Sequence, residues 1–333
     1  MNETNPVAKA MNAAMTPGAN GGAAVGVIGL GAMGSGMAAS LRRHGCNVHV
    51  FDVRTEVAQA FAQEGGVACT TLAELGAQCR VIVSVVVNAA QTESVLFGLP
   101  LGAGHDGTGC AATMAPGSVF VMCSTVDPNW SMALEARLAK QGILYIDAPI
   151  SGGAAKAASG QMTMMTSGKP EAYAAVGPLL DAMAAKVYRL GDAAGAGSKV
   201  KIINQLLAGV HIAAAAEAMA LGLREGVDAK ALYEVITHSA GNSWMFENRM
   251  AHVLAADYTP LSAVDIFVKD LGLVLDMARA SKFPLPLSST AHQMFMQAST
   301  AGFAREDDSA VIKIFPGIQL PEKVLQKSPQ EAI

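Results

Sequence analysis

The sequence is poor in the residues that form disulfides or hold metals. Its five cysteines, at positions 46, 69, 79, 110 and 123, include no C-x-x-C pair. Its seven histidines are scattered, and no two stand in an H-x-x-x-H pattern. We therefore expect no structural or catalytic metal. An odd, scattered set of thiols is typical of a reducing compartment such as the cytoplasm.

Charge is also scarce. Only 15% of the 333 residues are charged, the formal net charge is -4, and there is no long basic run. These features argue against nucleic acid or an anionic membrane as a partner. No run of 18 uncharged apolar residues is present, and no basic region followed by an apolar block stands at the start. We therefore expect neither a membrane span nor a secretory signal.

A glycine-rich turn near the start carries the first functional signal. An apolar strand at residues 25–29 runs into a G-x-G-x-x-G pattern, and a helix is predicted to follow. Such a turn lets backbone approach a pyrophosphate at the start of a helix. The predicted cofactor contacts there are Gly29, Leu30, Gly31, Ala32, Met33 and Gly34.

An acidic residue completes the dinucleotide pattern. Asp52 ends the second predicted strand, 23 residues after Gly29, where a carboxylate can accept both ribose hydroxyls. Because Asp52 would repel a 2′-phosphate, the cofactor is expected to be NAD. Arg54 is the reservation, since an arginine there could bind that phosphate. The alternative for Arg54, which we prefer, is a solvated loop charge.

The order of the predicted elements gives the fold class. Strands and helices alternate up to about residue 193, and only helices follow. The sequence therefore predicts an α/β Rossmann-type N-terminal domain at 23–193 and an all-α C-terminal domain at 194–320. Residues 1–22 and 321–333 are expected to be flexible tails.

Polar residues follow two of the predicted strands. Asn88 follows the strand at 81–87, and Ser124 and Thr125 follow the strand at 118–122. Ligands of open parallel sheets bind at the carboxyl ends of the strands, so these side chains are expected to contact cofactor or substrate. Ordinary loop capping is the alternative for each of them.

A second glycine-containing turn follows a later strand. Ser151, Gly152 and Gly153 offer a hydroxyl and exposed backbone N–H groups, which suit a carboxylate. A plain glycine turn is the alternative. The predicted helix at 197–224 then carries Lys201, Asn204 and Gln205 near its start, and their spacing of three and four places the lysine beside both amides.

Lys201 has two interpretations. It is the leading candidate for acid–base chemistry, or it is a helix-start lysine that extends to solvent.

Three features of the helical region have simpler explanations: a surface ion pair for Lys269 and Asp270, packing between helices for Trp244, and a helix N-cap for residues 306–309.

Four stretches together resemble one enzyme family. Residues 29–34, 147–153, 195–205 and 267–271 stand in the order and spacing of the β-hydroxyacid dehydrogenases, which include 3-hydroxyisobutyrate dehydrogenase and tartronate semialdehyde reductase. The resemblance covers roughly residues 24–315. It implies NAD-dependent oxidation of a small hydroxy acid, here predicted to be a 2-hydroxy acid, by a homodimer or homotetramer.

The resemblance also implies residue roles. Lys201 would be the catalytic acid/base, residues 151–153 would hold the substrate carboxylate, and Thr125 and Lys269 would contact the cofactor. Asn204 and Gln205 stand where the family usually has two asparagines that orient the substrate.

Two departures from the family pattern bear on the substrate. Gln205 is one methylene longer than the usual asparagine, and Val87 replaces the usual proline. Both favour a polyhydroxy acid larger than the three-carbon substrates. A non-catalytic dinucleotide-binding protein is the rival of another class, and Lys201 argues against it. Lys201 also argues against an imine reductase, because such an enzyme would carry a different residue at this position.

Overall fold

The computed structural model describes residues 24–98 and 107–322. The tail predicted at 1–22 lies outside the described residues, as does all but the start of the tail predicted at 321–333. The chain divides into two compact units between Lys201 and Ile202. The domain boundary predicted between 193 and 194 falls a few residues earlier, in the loop before the long helix that spans the division.

The first unit contains a nine-stranded sheet within the part of the chain that the structure describes. The strands are β1 (Ala24–Ile28), β2 (Val48–Phe51), β3 (Val67–Ala68), β4 (Cys79–Ser84), β5 (Val119–Met122), β6 (Leu144–Asp147), β7 (Ile150–Ser151), β8 (Met162–Gly168) and β9 (Ala184–Arg189). They lie in the order β3-β2-β1-β4-β5-β6-β8-β7, with β9 paired to β8. Strands β1 to β6 pair in parallel, which is the doubly wound order of dinucleotide-binding folds. Strand β8 pairs antiparallel with β6 and β7.

Helices connect these strands along the first unit. They are α1 (Gly34–Arg43), α2 (Thr55–Gln63), α3 (Leu72–Gln78), α4 (Ala89–Phe97), α5 (Pro128–Ala139), α6 (Gly153–Ala158) and α7 (Pro170–Met183), with a 3-10 turn at Cys110–Ala112. Four short elements, α2, β3, β7 and α6, are not among those predicted from the sequence. In α2, Ala58 and Phe61 are the only buried residues, so its apolar stripe is too narrow to be conspicuous.

The sheet is buried on both faces. Along β4, Val81 and Val83 belong to one apolar cluster, whereas Ile82 between them belongs to the other. Because successive side chains of a strand point to opposite faces, both faces must be covered by helices. This double burial explains why the strand forms a continuous apolar run rather than an alternating pattern.

The second unit contains only helices in the region described. It begins within α8 (Ala196–Arg224) and continues with α9 (Ala229–Thr237), α10 (Trp244–Leu254), α11 (Val264–Ser281), α12 (Pro286–Ala298), a π turn (Ser299–Phe303) and a 3-10 helix (Asp308–Ile314). The sequence predicts an ordinary helix for the last of these segments, whereas the structure has a 3-10 helix there. The core of the second unit packs Phe267 against Phe295, with ring centroids 5.1 Å apart.

Candidate functional site

The glycine turn lies between β1 and α1, and its geometry fits a dinucleotide. Gly29 has a φ of 89°, and a Cβ on it would lie 2.9 Å from the carbonyl oxygen of Val85. A Cβ on Gly34 would collide with the Gly29 carbonyl. A Cβ on Gly31, in contrast, would meet nothing within 4 Å. The first and last glycines are therefore required by packing, while Gly31 faces the open space that a pyrophosphate needs.

The other residues of this turn differ in exposure. Leu30 is buried in the core, Ala32 is exposed, and Met33 is half-buried at the position preceding α1. The first N–H groups of an α-helix have no partner within the helix, so the start of α1 is suited to bind an anion.

Asp52 is joined directly to the glycine turn. It follows β2, is buried, and its Oδ2 accepts the backbone N–H of Leu30 at 2.6 Å. Arg54 donates through its backbone N–H to Asp52 Oδ1 at 2.9 Å and through Nε to the same oxygen at 3.1 Å. Burial raises the pKa of Asp52, but the hydrogen bonds from Arg54 and Leu30 outweigh it, so the net shift is downward. Arg54 is exposed over half of its side chain, as expected for a solvated loop charge, and it is in addition paired with Asp52.

Asn88 lies in a loop, not at the end of a strand. Strand β4 ends at Ser84, and its last partner in β5 is Met122. The chain then turns because the backbone N–H of Val87 donates to Gln91 Oε1 at 2.8 Å. Asn88 caps α4, accepting the Gln91 N–H at 2.9 Å. The predicted strand end at Val87 is thus corrected, and the role of Asn88 at the cofactor stays a prediction.

Ser124 and Thr125 follow β5 at the carboxyl edge of the sheet. Ser124 is buried, and its Oγ donates to the Val86 carbonyl at 2.7 Å. Thr125 is half-buried. Ser124 therefore connects two neighbouring loops at this edge, and Thr125 is the one of the two with surface available to a ligand.

Ser151, Gly152 and Gly153 lie at the junction of β7 and α6. Ser151 ends the strand, and Gly152 and Gly153 have φ values of 140° and 77°. The two glycines turn the chain into α6, and Gly153 is exposed. The first N–H groups of a helix have no partner within it, so those of α6 could donate to an anion, and the carboxylate site stays a prediction.

The start of α8 is anchored by Asp147, a residue to which the sequence analysis assigned no role. Asp147 ends β6, is fully buried, and accepts the Gly195 N–H at 2.9 Å, the Ser198 N–H at 2.9 Å and the Ser198 hydroxyl at 2.7 Å. Burial raises its pKa, and these hydrogen bonds oppose the shift. A carboxylate at a helix N-terminus also stabilises the helix dipole. The sequence offered one signal for this role. An aspartate ends an apolar strand, and a glycine-rich helix start follows later in the chain.

This anchor fixes the turn from which Lys201 projects. Lys201 is the sixth residue of α8, and only 7% of its surface is exposed. A lysine extending to solvent would be far more exposed, so that interpretation of Lys201 is wrong. The side chain stands one turn beyond Ser198, which Asp147 holds.

Gln205 and Lys269 share one carboxylate in the second unit. Gln205 Nε2 donates to Asp270 Oδ2 at 2.6 Å, and Lys269 Nζ lies 2.7 Å from Asp270 Oδ1. Asn204 Nδ2 donates to Gln205 Oε1 at 3.1 Å. Asp270 is 1% exposed, so its pair with Lys269 is not the surface ion pair considered from the sequence. The structure thus brings together three predicted site residues around a fourth that was not predicted.

A second buried ionic cluster lies where only a helix cap was expected. Asp307 does cap the last helix, accepting the Ser309 N–H at 3.2 Å. It also accepts from His252 Nδ1 at 3.0 Å, and Asp308 pairs with Arg249 through both carboxylate oxygens. Both aspartates are fully buried. This cluster ties α10 to the last helix and is structural.

Trp244 does not pack between helices. It begins α10 after the capping residue Ser243, and 53% of its surface is exposed.

Within the described residues no group of three or more His, Cys, Asp or Glu side chains could hold a metal ion.

The five cysteines are free thiols. Four are buried and one, Cys46, is half-buried. Burial raises the pKa of Cys69, Cys79, Cys110 and Cys123 to about 12. Thiols so far from ionisation are inert at neutral pH, so none of these four is a candidate nucleophile.

Helix α8 is long and apolar enough to cross a membrane by length and composition alone. In its most apolar window 44% of the residues are buried. Core helices of globular proteins meet the same criterion, so the expectation that the chain has no membrane span stays a prediction.

Comparison with known proteins gives consistent relatives for both units. Residues 24–191 match the family described as the NAD binding domain of 6-phosphogluconate dehydrogenase. Residues 195–315 match the family described as NAD-binding of NADP-dependent 3-hydroxyisobutyrate dehydrogenase. The two matches together span nearly all of the described chain.

Individual relatives are similar over their whole length. L-threonate dehydrogenase of Cupriavidus necator is 69% identical, with 90% of this chain and 98% of the relative covered. L-threonate dehydrogenase of Escherichia coli K12 is 50% identical, with 89% and 96% covered. The crystal structure of 3-hydroxyisobutyrate dehydrogenase from Salmonella typhimurium superposes with a TM-score of 0.82 at 52% identity, covering 88% and 99%.

Proposed function

The chain belongs to the β-hydroxyacid dehydrogenases, a family of NAD-dependent oxidoreductases, and from this premise we propose that it oxidises L-threonate to 2-dehydro-L-erythronate (2-oxo-tetronate). The observation that carries the choice of substrate is the 69% identity to an L-threonate dehydrogenase over 98% of that relative.

Most of the residues proposed to hold the cofactor lie in the first unit, and Lys269 lies in the second. The glycine turn at 29–34 would receive the pyrophosphate, and Asp52 the adenosine ribose. Asn88, Thr125 and Lys269 are the further contacts proposed from the family resemblance. NAD, when bound, supplies the hydride acceptor. Everything else in the reaction falls to the side chains of this protein.

Lys201 would take the proton of the substrate. Oxidation at C2 breaks the C–H bond, whose electron pair leaves as hydride, and the O–H bond, whose proton passes to Lys201 Nζ as the C=O bond forms. A base must be uncharged before it accepts the proton, and burial disfavours the charged form of an amine. Lys201 is buried, which suits this role. In the reverse direction the protonated amine would polarise the carbonyl.

The substrate would be positioned from both of its ends. The amides of residues 151–153 would bind the carboxylate, and Asn204 and Gln205 would face the hydroxyl-bearing carbons. The Gln205 carboxamide is oriented by its 2.6 Å hydrogen bond to Asp270. A carboxamide held in one orientation presents its N–H donors and its carbonyl acceptor at fixed places. It can therefore select a substrate whose hydroxyl groups match those places, such as a four-carbon trihydroxy acid.

Steady-state kinetics tests the proposal. NADH formation is measured with L-threonate and 3-hydroxyisobutyrate, and NADH consumption with tartronate semialdehyde. We expect kcat/KM for L-threonate to exceed the other values by at least about tenfold, a modest discrimination for hydrogen-bonded hydroxyl groups. If 3-hydroxyisobutyrate or tartronate semialdehyde reacts as well, the corresponding alternative, 3-hydroxyisobutyrate dehydrogenase or tartronate semialdehyde reductase, would replace the proposal. The Salmonella typhimurium structure carries the first of these names.

The assembly and location complete the proposal. Ile203, Leu207 and Leu221 are apolar residues that are exposed along one side of α8. A homodimer or homotetramer would cover them, as the family resemblance implies. The free, buried thiols fit a reducing compartment, and the protein is proposed to be cytoplasmic.

A further inference from the structure

Arg54 is held over the glycine turn by several hydrogen bonds. Besides its backbone and Nε bonds to Asp52, its Nη2 lies 3.2 Å from Asp52 Oδ2 and 3.2 Å from the carbonyl oxygen of Leu30. The guanidinium therefore contacts both carboxylate oxygens of Asp52 and one backbone acceptor. Asp52 is almost fully buried, whereas 52% of the Arg54 side chain is exposed.

This pair combines the two groups that usually distinguish the two nicotinamide cofactors. A carboxylate at the end of the second strand accepts the ribose hydroxyls of NAD, and a nearby arginine accommodates the 2′-phosphate of NADP. Here both occur two residues apart, and the arginine is already bound to the carboxylate. A phosphate arriving at this place would meet an arginine that already donates through Nε and Nη2.

We propose that Asp52, besides repelling a 2′-phosphate, sequesters Arg54, an arginine beside it that could bind that phosphate. Arg54 is thus a latent NADP-binding residue. Removal of the Asp52 charge should release it. The proposal rests on the glycine turn and Asp52 being the cofactor site.

The exposure of the two partners supports release. About half of the Arg54 side chain is exposed, so it has room to turn toward a ligand in solvent. The carboxylate cannot follow, because its Oδ2 is also fixed by the Leu30 N–H at 2.6 Å. An asparagine at position 52 would keep an acceptor for Leu30 while losing the charge that holds Arg54.

Four proteins test the proposal: wild type, Asp52→Asn, Arg54→Gln and the double variant. The dissociation constants of NADH and NADPH are measured by fluorescence titration, with a thermal melt of each protein as the folding control. We expect Asp52→Asn to tighten NADPH binding about ten- to a hundredfold, the effect of a charge-assisted hydrogen bond. The double variant should lose most of that gain.

Other results would overturn the proposal in distinguishable ways. An equal gain in the double variant would mean that Asp52 acts by repulsion alone, and no gain in Asp52→Asn would refute both effects. Unchanged NADH binding in Asp52→Asn would instead refute Asp52 as the ribose contact. Arg54→Gln alone, a change at a half-exposed side chain, should alter NADPH binding less than threefold. A tenfold loss there would show that Arg54 is not sequestered, even if Asp52→Asn fails to fold.

Discussion

Gln205 and Asp270 lie 65 positions apart in the sequence, and Gln205 Nε2 donates to Asp270 Oδ2 at 2.6 Å. The same carboxylate lies 2.7 Å from Lys269 Nζ. A residue proposed to bind the substrate and a residue proposed to contact the cofactor therefore share one buried carboxylate. We propose that Asp270 is a positioning residue, which would act through both of these partners.

Replacing Gln205 with the shorter asparagine should weaken the preference for L-threonate. The carboxamide would no longer reach Asp270, and its orientation would be lost. We expect kcat/KM for L-threonate to fall about tenfold or more, with a smaller loss for a three-carbon hydroxy acid. A double-mutant cycle with Asp270→Asn should show coupling between the two positions. Additive effects would contradict the shared positioning.

Replacing Lys201 with alanine should remove turnover and spare cofactor binding. The loss in kcat is expected to be about 10²–10⁴-fold, as for other general acid–base residues. NADH binding, measured by fluorescence, should change little. Lys199, exposed on the same helix, is the matched control, and Lys199→Ala should retain wild-type turnover. A Lys201→Ala protein with a tenth or more of wild-type activity would rule out the proposed role.

Replacing Asp147 with alanine should destabilise the first unit. The change leaves the buried N–H groups of Gly195 and Ser198 without an acceptor, and each such group costs about 1–3 kcal/mol. We expect the free energy of unfolding to fall by about 2–5 kcal/mol in urea titrations. Asp181→Ala, at an exposed position in α7, serves as the control and should change it by less than about 0.5 kcal/mol. Equal stability of the two variants would show that Asp147 does not anchor α8.

His252 should make the stability of the protein depend on pH. The hydrogen bond to Asp307 raises the pKa of His252 above its ordinary value of 6.5, despite an opposing effect of burial. A raised folded-state pKa contributes stability that is fully present below about pH 6.5 and is lost as pH rises through the folded pKa. Wild-type protein should therefore lose unfolding free energy over that interval, and His252→Gln should lack this decrease. His238→Gln, at an exposed ring, should retain the wild-type slope.

Replacing Leu207 with glutamate should disrupt the proposed assembly. A charge placed in an apolar interface is not paired and must be desolvated, which opposes association. Size-exclusion chromatography with light scattering is expected to show the mass of a single chain for Leu207→Glu and a multiple of it for the wild type. Lys230→Glu, at an exposed position in α9, should leave the mass unchanged. A monomeric wild type would refute the assembly itself.

The cofactor half of the site was predictable because its signals are local. The turn at 29–34 depends on glycines at fixed offsets, and Asp52 follows the very next strand. The chemistry of such a motif requires few distant contacts. A Cβ on Gly29 would conflict with Val85, and a Cβ on Gly34 would conflict with the Gly29 carbonyl. These conflicts are the physical reason for the spacing of the glycines.

The supporting side chains could not be predicted in the same way. Asp147 bonds to Ser198, 51 positions away, and Arg249 bonds to Asp308, 59 positions away. No local periodicity encodes these pairs, because each depends on how separate elements meet. The 306–309 segment shows the difference, since its capping role was predictable from sequence and its buried ion pair was not.

The distribution of thiols gives the protein an internal reporter of its own unfolding. Cys46 is half-buried, whereas the other four cysteines are buried and keep pKa values of about 12. An alkylating reagent should therefore modify the folded protein at one site. Each further adduct, counted by mass spectrometry, would report when the structure around that cysteine opens. No engineered label is needed.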